Sequence, residues 1–297
     1  MSFGKSLELF FVNGKPDEIL TARVFNWTGH VLKTPRTQIK EALDRPEADY
    51  SGVYLLLGTT DGQPLTYVGE SECISSRIKS HDLKKDWWND AVLITTTANE
   101  LNKAHVRYLE SRLIALATAA KVTKLDNSTT PVASKLSEAA TANMEEFLDV
   151  LKLVLPAIGV DAFVNKMVTL PKATGSETPE TPLFLLENKK HRIISHARLL
   201  DGNFVVLKSS QARQAWEGKA QVIGGYQILH KKLVEDGVID TSQSPAIFTS
   251  DYAFDSPSAA ATVCQGRTAN GRLDWKVEES GLTYSAWEES LLKKAQP

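Results

Sequence analysis

The stretch Gly52-Val-Tyr-Leu-Leu-Leu-Gly-Thr-Thr-Asp-Gly-Gln-Pro-Leu-Thr-Tyr-Val-Gly69 contains two short apolar runs on either side of a turn. The runs are Val53 to Leu57 and Leu65 to Val68, and the residues between them include Asp61-Gly62. An Asp-Gly dipeptide between two strand-forming runs is typical of a β-hairpin. We therefore predict a hairpin in which each strand carries one tyrosine beside a glycine.

The residues after this hairpin predict a helix with a basic face. Tyr54 and Tyr67 can meet on one face of the hairpin with little bulk beside them, because glycines are their neighbours. The helix is predicted to begin with Ser71 as its N-cap. Arg77 and His81 are four residues apart, so they share a helix face. Because a guanidinium matches two phosphate oxygens, this face favours phosphate binding.

A glutamate in the next helix also points to chemistry. Glu100 to Ala120 has helical periodicity, and Glu110 falls at the edge of its apolar arc. A buried carboxylate without a partner costs roughly 3 to 5 kcal/mol, so Glu110 requires a cation. That cation is either a metal such as Mg²⁺, which binds one or two carboxylates, or a basic side chain, with Lys103 and Arg107 as candidates.

The order of these residues resembles the GIY-YIG endonucleases over residues 50 to 130. The matching elements are Gly52-Val-Tyr54, Tyr67-Val-Gly69, Arg77, His81, Glu110 and Asn127. Valine replaces isoleucine in both tripeptides and keeps the β-branched packing. The resemblance implies a small mixed or antiparallel sheet flanked by helices. It also implies metal-dependent phosphodiester hydrolysis in DNA, with Mg²⁺ or Mn²⁺ as cofactor, as in restriction, phage defence or repair.

The resemblance also implies a role for each matching residue. Tyr54 would be the general base, with Tyr67 placing water or phosphate beside it. An unperturbed tyrosine has a pKa of roughly 10, so Tyr54 needs nearby positive charge. Arg77 would stabilise the phosphoryl group, and Glu110 would hold the metal. The residues expected to support the substrate or the hydrogen-bond network are His81, Asn127, Gly69, Lys79, Lys103 and Arg107.

Each of these residues also has a plainer interpretation. The tyrosines can be ordinary strand aromatics, and Arg77 with His81 can form a solvated helix face. Asn127 can be a turn residue. At the level of the whole protein, the alternatives are a nucleic-acid binder that keeps the fold without catalysis, and a scaffold that assembles through a helix at residues 134 to 158.

Composition limits the partners and the compartment. The chain has 34 Lys and Arg against 36 Asp and Glu, a formal net charge of −2, so any DNA contact must be local. Cys73 and Cys264 suggest neither a disulfide framework nor a zinc site. No signal peptide or membrane span is evident. We expect a soluble, cytoplasmic monomer or homodimer.

The chain divides into four segments in an α+β arrangement. Residues 1 to 50 form a β-rich extension packed on the nuclease core, with strands at Leu7 to Val12 and Ile19 to Phe25 and a helix at Pro35 to Leu43. Residues 51 to 170 form the nuclease domain, which ends in the helix at 134 to 158. Residues 171 to 182 form a linker with three prolines, and residues 183 to 297 form a small α+β recognition domain.

The C-terminal domain has its own motifs. We predict a hairpin around Asp201-Gly-Asn203, a helix from Tyr226 to Glu235, and a helix capped by Ser256. Asn270-Gly271 is predicted to be a turn, and Trp275 to anchor a core. These last motifs resemble an uncharacterised domain often joined to GIY-YIG nucleases, and more distantly a module of restriction and adenine methylation systems. The candidate DNA-recognition residues, which can equally be structural, are Arg267, Arg272 and Lys276.

Overall fold

The computed structural model divides the chain into two compact units, Met1–Asn165 and Lys166–Pro297. It describes residues 4–82, 85–128, 131, 134–165, 167–168, 181–200, 202–217 and 225–294. Most of the predicted linker, residues 171–180, lies outside the described residues.

The first unit is built on one seven-stranded sheet. Its strands are β1 (Leu7–Phe11), β2 (Leu20–Val24), β3 (Gly29–Pro35), β4 (Gly52–Thr60), β5 (Gln63–Ser71), β6 (Trp88–Thr96) and β7 (Lys124–Leu125). Their order is β1-β2-β3-β6-β4-β5-β7. Neighbouring strands are antiparallel except β5 and β7. The first fifty residues therefore contribute three strands to the same sheet as the hairpin.

The hairpin joins β4 and β5 through a two-residue loop. Asp61 and Gly62 both have positive φ, +50° and +73°, as this tight connection requires. The predicted hairpin is confirmed, with longer strands than the apolar runs alone suggested, because the pairing continues to Gly52 and Ser71 at the open end.

Helices cover both faces of this sheet. They are α1 (Ile39–Leu43), α2 (Ile74–Asp82), α3 (Lys103–Ala120) and α4 (Glu138–Ala157). Residues of α3 and α4 share one apolar core with alternate residues of β2 to β6. The opposite core includes Ile74 and Ile78 of α2 together with Tyr54 and Leu56 of β4. The two faces of the sheet therefore pack against different helices, and Tyr54 lies on the face that α2 covers.

Helices α1, α3 and α4 begin later than predicted, and side-chain caps decide the starts of α3 and α4. Asn102 accepts hydrogen bonds from the backbone of the first turn of α3, so the helix begins at Lys103 rather than Glu100. Ser137 caps α4 in the same way, so that helix begins at Glu138 rather than at residue 134. Pro35 is still in β3, and α1 follows after one 3-10 turn at Arg36–Gln38.

The second unit has two sheets within its described residues. Its strands are β8 (Met167–Val168), β9 (Phe184–Asn188), β10 (Ile193–Leu200), β11 (Asn203–Val206), β12 (Gln211–Ala212), β13 (Ile239–Asp240), β14 (Ala246–Phe248), β15 (Asp251–Phe254) and β16 (Lys276–Val277). One sheet has the order β16-β9-β10-β11-β15-β8, and the other β12-β14-β13. The predicted hairpin is the antiparallel pair β10 and β11.

The helices of the second unit are α5 (Gly225–Glu235), α6 (Pro257–Gln265), α7 (Gly271–Asp274) and α8 (Tyr284–Lys294). Ser256 caps α6 through the Ala259 backbone N–H, as predicted. Asn270-Gly271 is not a simple turn: the Asn270 side chain caps the short helix α7. Trp275 is fully buried in the core of this unit, which confirms its predicted anchoring role.

Both units combine helices with mainly antiparallel strands, which confirms the α+β fold class. Among the described residues, no helix has the length and apolar character needed to cross a membrane.

Candidate functional site

The hairpin brings the two tyrosines together on one face of the sheet. Tyr54 pairs across the strands with Gly69, and the Tyr54 and Tyr67 ring centroids are 6.1 Å apart. A Cβ atom added to Gly69 would lie 2.5 Å from the Tyr54 hydroxyl oxygen. Glycine is thus needed here to make room for the phenol. Gly69 was predicted to contact the substrate, but the space beside it is filled by Tyr54.

The Arg77 side chain on α2 joins the tyrosine pair. Its guanidinium is close enough to both phenols to act on their charge states. Burial raises the pKa of the Tyr54 phenol well above its ordinary value, Tyr67 adds to the rise, and Arg77 opposes it only in part. The positive charge that Tyr54 was expected to need is present in Arg77, but burial outweighs its effect on the pKa of Tyr54.

The two phenols differ in access to solvent. Tyr54 is fully buried, whereas Tyr67 is partly exposed. The Lys85 ammonium lies 4.7 Å from the centroid of the Tyr67 ring and forms an ion pair with Asp126. Tyr67 is thus the phenol that can meet water, with two cations, Arg77 and Lys85, beside it.

The start of α2 differs from the prediction. Ser71 is the last residue of β5, and α2 begins three residues later at Ile74. The Ser71 hydroxyl accepts a hydrogen bond from the Cys73 N–H at 3.1 Å and donates one to the Cys73 carbonyl at 2.7 Å. Ser71 therefore closes the turn before the helix rather than capping it. His81 belongs to α2, but its side chain lies outside the described residues, so its pairing with Arg77 stays a prediction.

Glu110 on α3 is half-buried and forms no ion pair with a basic side chain of the described residues. Among the described residues, no hydrogen bond or ion pair reaches its carboxylate. Its predicted alternative partners bind Glu70 instead: the Lys103 ammonium at 2.9 Å and the Arg107 Nε at 3.8 Å. The alternative of a structural salt bridge for Glu110 is therefore wrong.

The charge state of Glu110 reflects this lack of a partner. Burial raises the pKa of its carboxyl to about 7, and the neighbouring Glu70 carboxylate adds to the rise. The cations Lys103, Arg77 and Arg107 act in the opposite direction without cancelling it. Arg77 therefore acts on the charge states of both Glu110 and Tyr54.

This environment suits a hard divalent cation that keeps most of its water. In the described part of the chain, no cluster of three or more His, Cys, Asp or Glu side chains could form a complete protein cage. Mg²⁺ does not require one, since it is commonly held by one or two carboxylates with water and phosphate. The unpaired Glu110 carboxylate fits this requirement, and Glu70 is the second carboxylate nearby.

Sequence reasoning missed the contribution of Glu70. Its side chain is only 15% exposed and accepts the ion pairs that Lys103 and Arg107 donate. Val68, two residues earlier, lies in the core beneath α3, and residues two apart on a strand share a face. A glutamate at an inward position of β5 is the signal that would have identified it.

Asn127 holds one edge of the site in place. Its side-chain NH₂ donates to the Val68 carbonyl at 2.7 Å, and its side-chain oxygen accepts from the Val68 N–H at 3.1 Å. Both functional groups are thus used on the backbone next to Tyr67. These two hydrogen bonds hold the strand beside Tyr67, and the predicted role of Asn127 in catalysis stays a prediction.

The remaining residues predicted to contact DNA are spread over both units. Lys79 is exposed on α2. In the second unit, Arg267 donates to Gln265 Oε1 at 2.6 Å, and Arg272 pairs with Glu288 at 2.6 Å. Lys276 is exposed on β16. Two of the three predicted recognition residues therefore already have partners within their own unit.

Comparison with known proteins gives a family match for the second unit only. Residues 186–288 match a family described as a domain of unknown function (DUF4357). This match supports the predicted resemblance of the C-terminal region to an uncharacterised domain, whereas the association of that domain with GIY-YIG nucleases stays a prediction. The GIY-YIG resemblance of residues 50 to 130 is outside it and stays a prediction. No curated protein and no solved structure matches the chain.

Proposed function

We propose that the first unit is a metal-dependent DNA endonuclease of the GIY-YIG type. One observation carries the proposal: the same guanidinium, Arg77, acts electrostatically on a tyrosine pair and on a half-buried carboxylate without an ion-pair partner. A structural role alone does not explain a carboxylate left unpaired while Lys103 and Arg107 bind Glu70.

Each of these side chains has a separate role in the hydrolysis of a phosphodiester. Tyr67, in its phenolate form, accepts the proton of the attacking water, since it is the accessible phenol, and Tyr54 supports it from the buried side; Tyr67 then returns this proton to solvent. The water oxygen forms a bond to phosphorus, the bond to the leaving oxygen breaks, and that oxygen takes a proton from solvent. Arg77 stabilises the charge that develops on the phosphoryl group.

Glu110 would hold Mg²⁺ or Mn²⁺. When bound, such an ion supplies positive charge that polarises the scissile phosphate and supports the leaving oxygen. Glu110 is ready for this role only in its ionised form, which its raised pKa places above about pH 7 in the absence of a cation. A bound cation favours the ionised form, so metal binding and proton release are linked.

The second unit would contribute to DNA recognition. Lys276 is its freely exposed candidate, while Arg267 and Arg272 would have to exchange an existing partner for phosphate. With a formal net charge of −2 for the chain, we expect modest affinity that falls steeply with salt. A cytoplasmic location, with both cysteines free, completes the proposal.

The proposal is tested by incubating the full chain with supercoiled, linear and branched DNA, each with Mg²⁺ and with EDTA. We expect cleavage of at least one form with Mg²⁺ and none with EDTA. Binding without cleavage under all conditions would favour the non-catalytic nucleic-acid binder. Equal cleavage in EDTA would contradict the metal requirement.

A further inference from the structure

A second polar pocket lies in the first unit and uses none of the side chains proposed for catalysis. It has a volume of about 340 Å³, and its lining includes Phe10, Arg23, His30, Arg45, Glu47 and Tyr50. We call it the His30 pocket. Its size is at the lower end of the range for small-molecule sites, and its wall combines aromatic rings with charged groups.

The sheet places this pocket on the same face as the tyrosine pair. His30 of β3 pairs with Thr95 of β6, and Tyr54 of β4 pairs with Leu93 of β6. Thr95 and Leu93 are two residues apart on one strand, so all four side chains face the same side. Strand β6 lies between β3 and β4, and β4 lies between β6 and β5, so His30 is about 14 Å across the strands from Tyr67. A ligand in the pocket thus lies on the face of the sheet that carries the tyrosines, a few strand spacings away.

The pocket holds polar atoms that the protein leaves unpaired. The His30 side chain is only 7% exposed, and its Nε2 is 3.6 Å from Glu47 Oε1. Among the described residues, His30 Nδ1, Arg45 Nε and Glu47 Oε2 are shielded from solvent and make no hydrogen bond. Arg45 and Glu47 keep 27% and 21% of their side chains exposed, so rotation brings these atoms to a ligand.

The charge pattern selects the type of ligand. Burial lowers the pKa of His30, Glu47 opposes this, and Arg23 and Arg45 add to it, so the imidazole is neutral near pH 7. The pocket therefore offers guanidinium donors, carboxylate acceptors and an imidazole that can do either. A phosphate would meet the Glu47 carboxylate at close range, which disfavours it. A nucleobase instead has a flat ring to stack and an edge of mixed donors and acceptors.

We propose that the His30 pocket binds a nucleobase turned out of the DNA strand that is cleaved at the neighbouring tyrosines. The assignment of the base to DNA rests on the proposed function, whereas the fit of a base to the pocket does not. Enzymes that turn a base out of the stack favour positions where it is already unpaired. The substrate class is therefore DNA with an unpaired or weakly paired base near the cleaved bond.

The test is the affinity of the full chain for two labelled duplexes, measured by fluorescence anisotropy in the Glu110→Gln protein so that DNA is not cut. One duplex carries a single unpaired base, and the other an abasic residue at the same position. We expect the base to tighten binding about 10-fold, from stacking. Glu47→Gln and Phe10→Ala should each reduce this ratio to near one, while Glu41→Gln, an exposed carboxylate on α1, should keep it.

Separate controls address the folding of the variants and the question of whether the bound base belongs to DNA or to a free nucleotide. Phe10 is 55% exposed on the edge strand β1, so Phe10→Ala should fold even if Glu47→Gln does not. Equal affinity for the two duplexes would overturn the proposal. Binding of a free nucleoside monophosphate with no base preference on DNA would overturn the placement on the strand. DNA cleavage by the wild type without base preference would leave the proposed function intact and reject this pocket alone.

Discussion

At the residue scale, Glu110 has an environment that protein stability alone does not favour. Its carboxylate is half-buried next to Glu70, and two of the nearby cations, Lys103 and Arg107, are paired with Glu70. A carboxylate in such a place destabilises the folded protein once it is ionised. A bound cation removes that penalty, which ties the stability of the chain to metal and to pH.

The first prediction concerns pH. The folded protein binds the Glu110 proton with a pKa of about 7, against 4.5 for the ordinary group. The contribution of this group is therefore fully present below about pH 4.5 and is lost as the pH rises through 7. In EDTA, Glu110→Gln should be more stable than the wild type at pH 8 by about 1 kcal/mol, since partial exposure screens much of the effect.

This difference should disappear at pH 5, where Glu110 is protonated in the folded protein. Urea unfolding at the two pH values measures it, and Glu41→Gln gives the effect of the same change at an exposed site. A constant difference between wild type and Glu110→Gln across this range would show that the carboxyl does not titrate near pH 7.

The second prediction separates the two phenols. Tyr67→Phe removes the accessible hydroxyl and should lower the cleavage rate by at least about 100-fold, as expected for the loss of general base catalysis. Tyr54→Phe keeps the buried ring and removes a hydroxyl that supports the pair, so its loss should be smaller. Single-turnover cleavage with saturating Mg²⁺ measures both. A larger loss of cleavage rate in Tyr54→Phe than in Tyr67→Phe would show that the buried phenol is the general base.

At the element scale, the β4-β5 hairpin and the segment around Asn127 fix the site. The register opposes Tyr54 to Gly69, and the Asn127 side chain binds both backbone groups of Val68. The hairpin positions both tyrosine rings, and Asn127 holds β5, the strand that carries the accessible Tyr67. Small changes in these elements should therefore affect chemistry more than stability.

The third prediction is a steric one. In Gly69→Ala the new Cβ would overlap the Tyr54 phenol at 2.5 Å, so the ring or the strand must shift. A displacement of about 1 Å at a catalytic group can cost about 100-fold in rate. Cleavage kinetics of Gly69→Ala should show this loss. Gly4→Ala, which has open space around it, should keep wild-type activity. Wild-type kinetics in Gly69→Ala would show that the cleavage rate does not depend on the position of the Tyr54 ring.

Local signals made parts of the site predictable from the sequence. Asp61-Gly62 encodes the hairpin by itself, and the periodicity around Glu110 places it at the edge of an apolar arc. The pairing of Lys103 with Glu70 was not predictable, because 33 residues separate them and either glutamate was a possible partner. Helix starts were misplaced for a similar reason: the cap at Asn102 depends on side-chain geometry that periodicity does not contain.

At the scale of the whole molecule, each unit has its own apolar core. Leu113 is buried between the sheet and helices of the first unit, and Trp275 is buried in the second, where its indole N–H donates to the Pro257 carbonyl at 3.0 Å. The family match covers residues of the second unit only. The catalytic proposal therefore depends on the first unit, and recognition by the second can be tested apart from it.

The fourth prediction follows from the separate cores. Trp275→Ala should cost about 3 to 5 kcal/mol through cavity formation and a lost hydrogen bond. Hydrogen exchange should accelerate in β9 to β11, while β4 and β6 keep their protection. Leu113→Ala should give the reverse pattern. Loss of protection in both units from either substitution would show that they unfold as one.

The most direct test of the account is the single-turnover cleavage rate of a labelled DNA duplex as a function of Mg²⁺ concentration at pH 8. The wild type should reach a saturating rate, and Glu110→Gln, folded and still able to bind DNA, should be at least about 100-fold slower at every Mg²⁺ concentration. Glu41→Gln should match the wild type. An equal rate and the same Mg²⁺ dependence in Glu110→Gln would contradict the assignment of Glu110 as the metal-binding carboxylate of a nuclease.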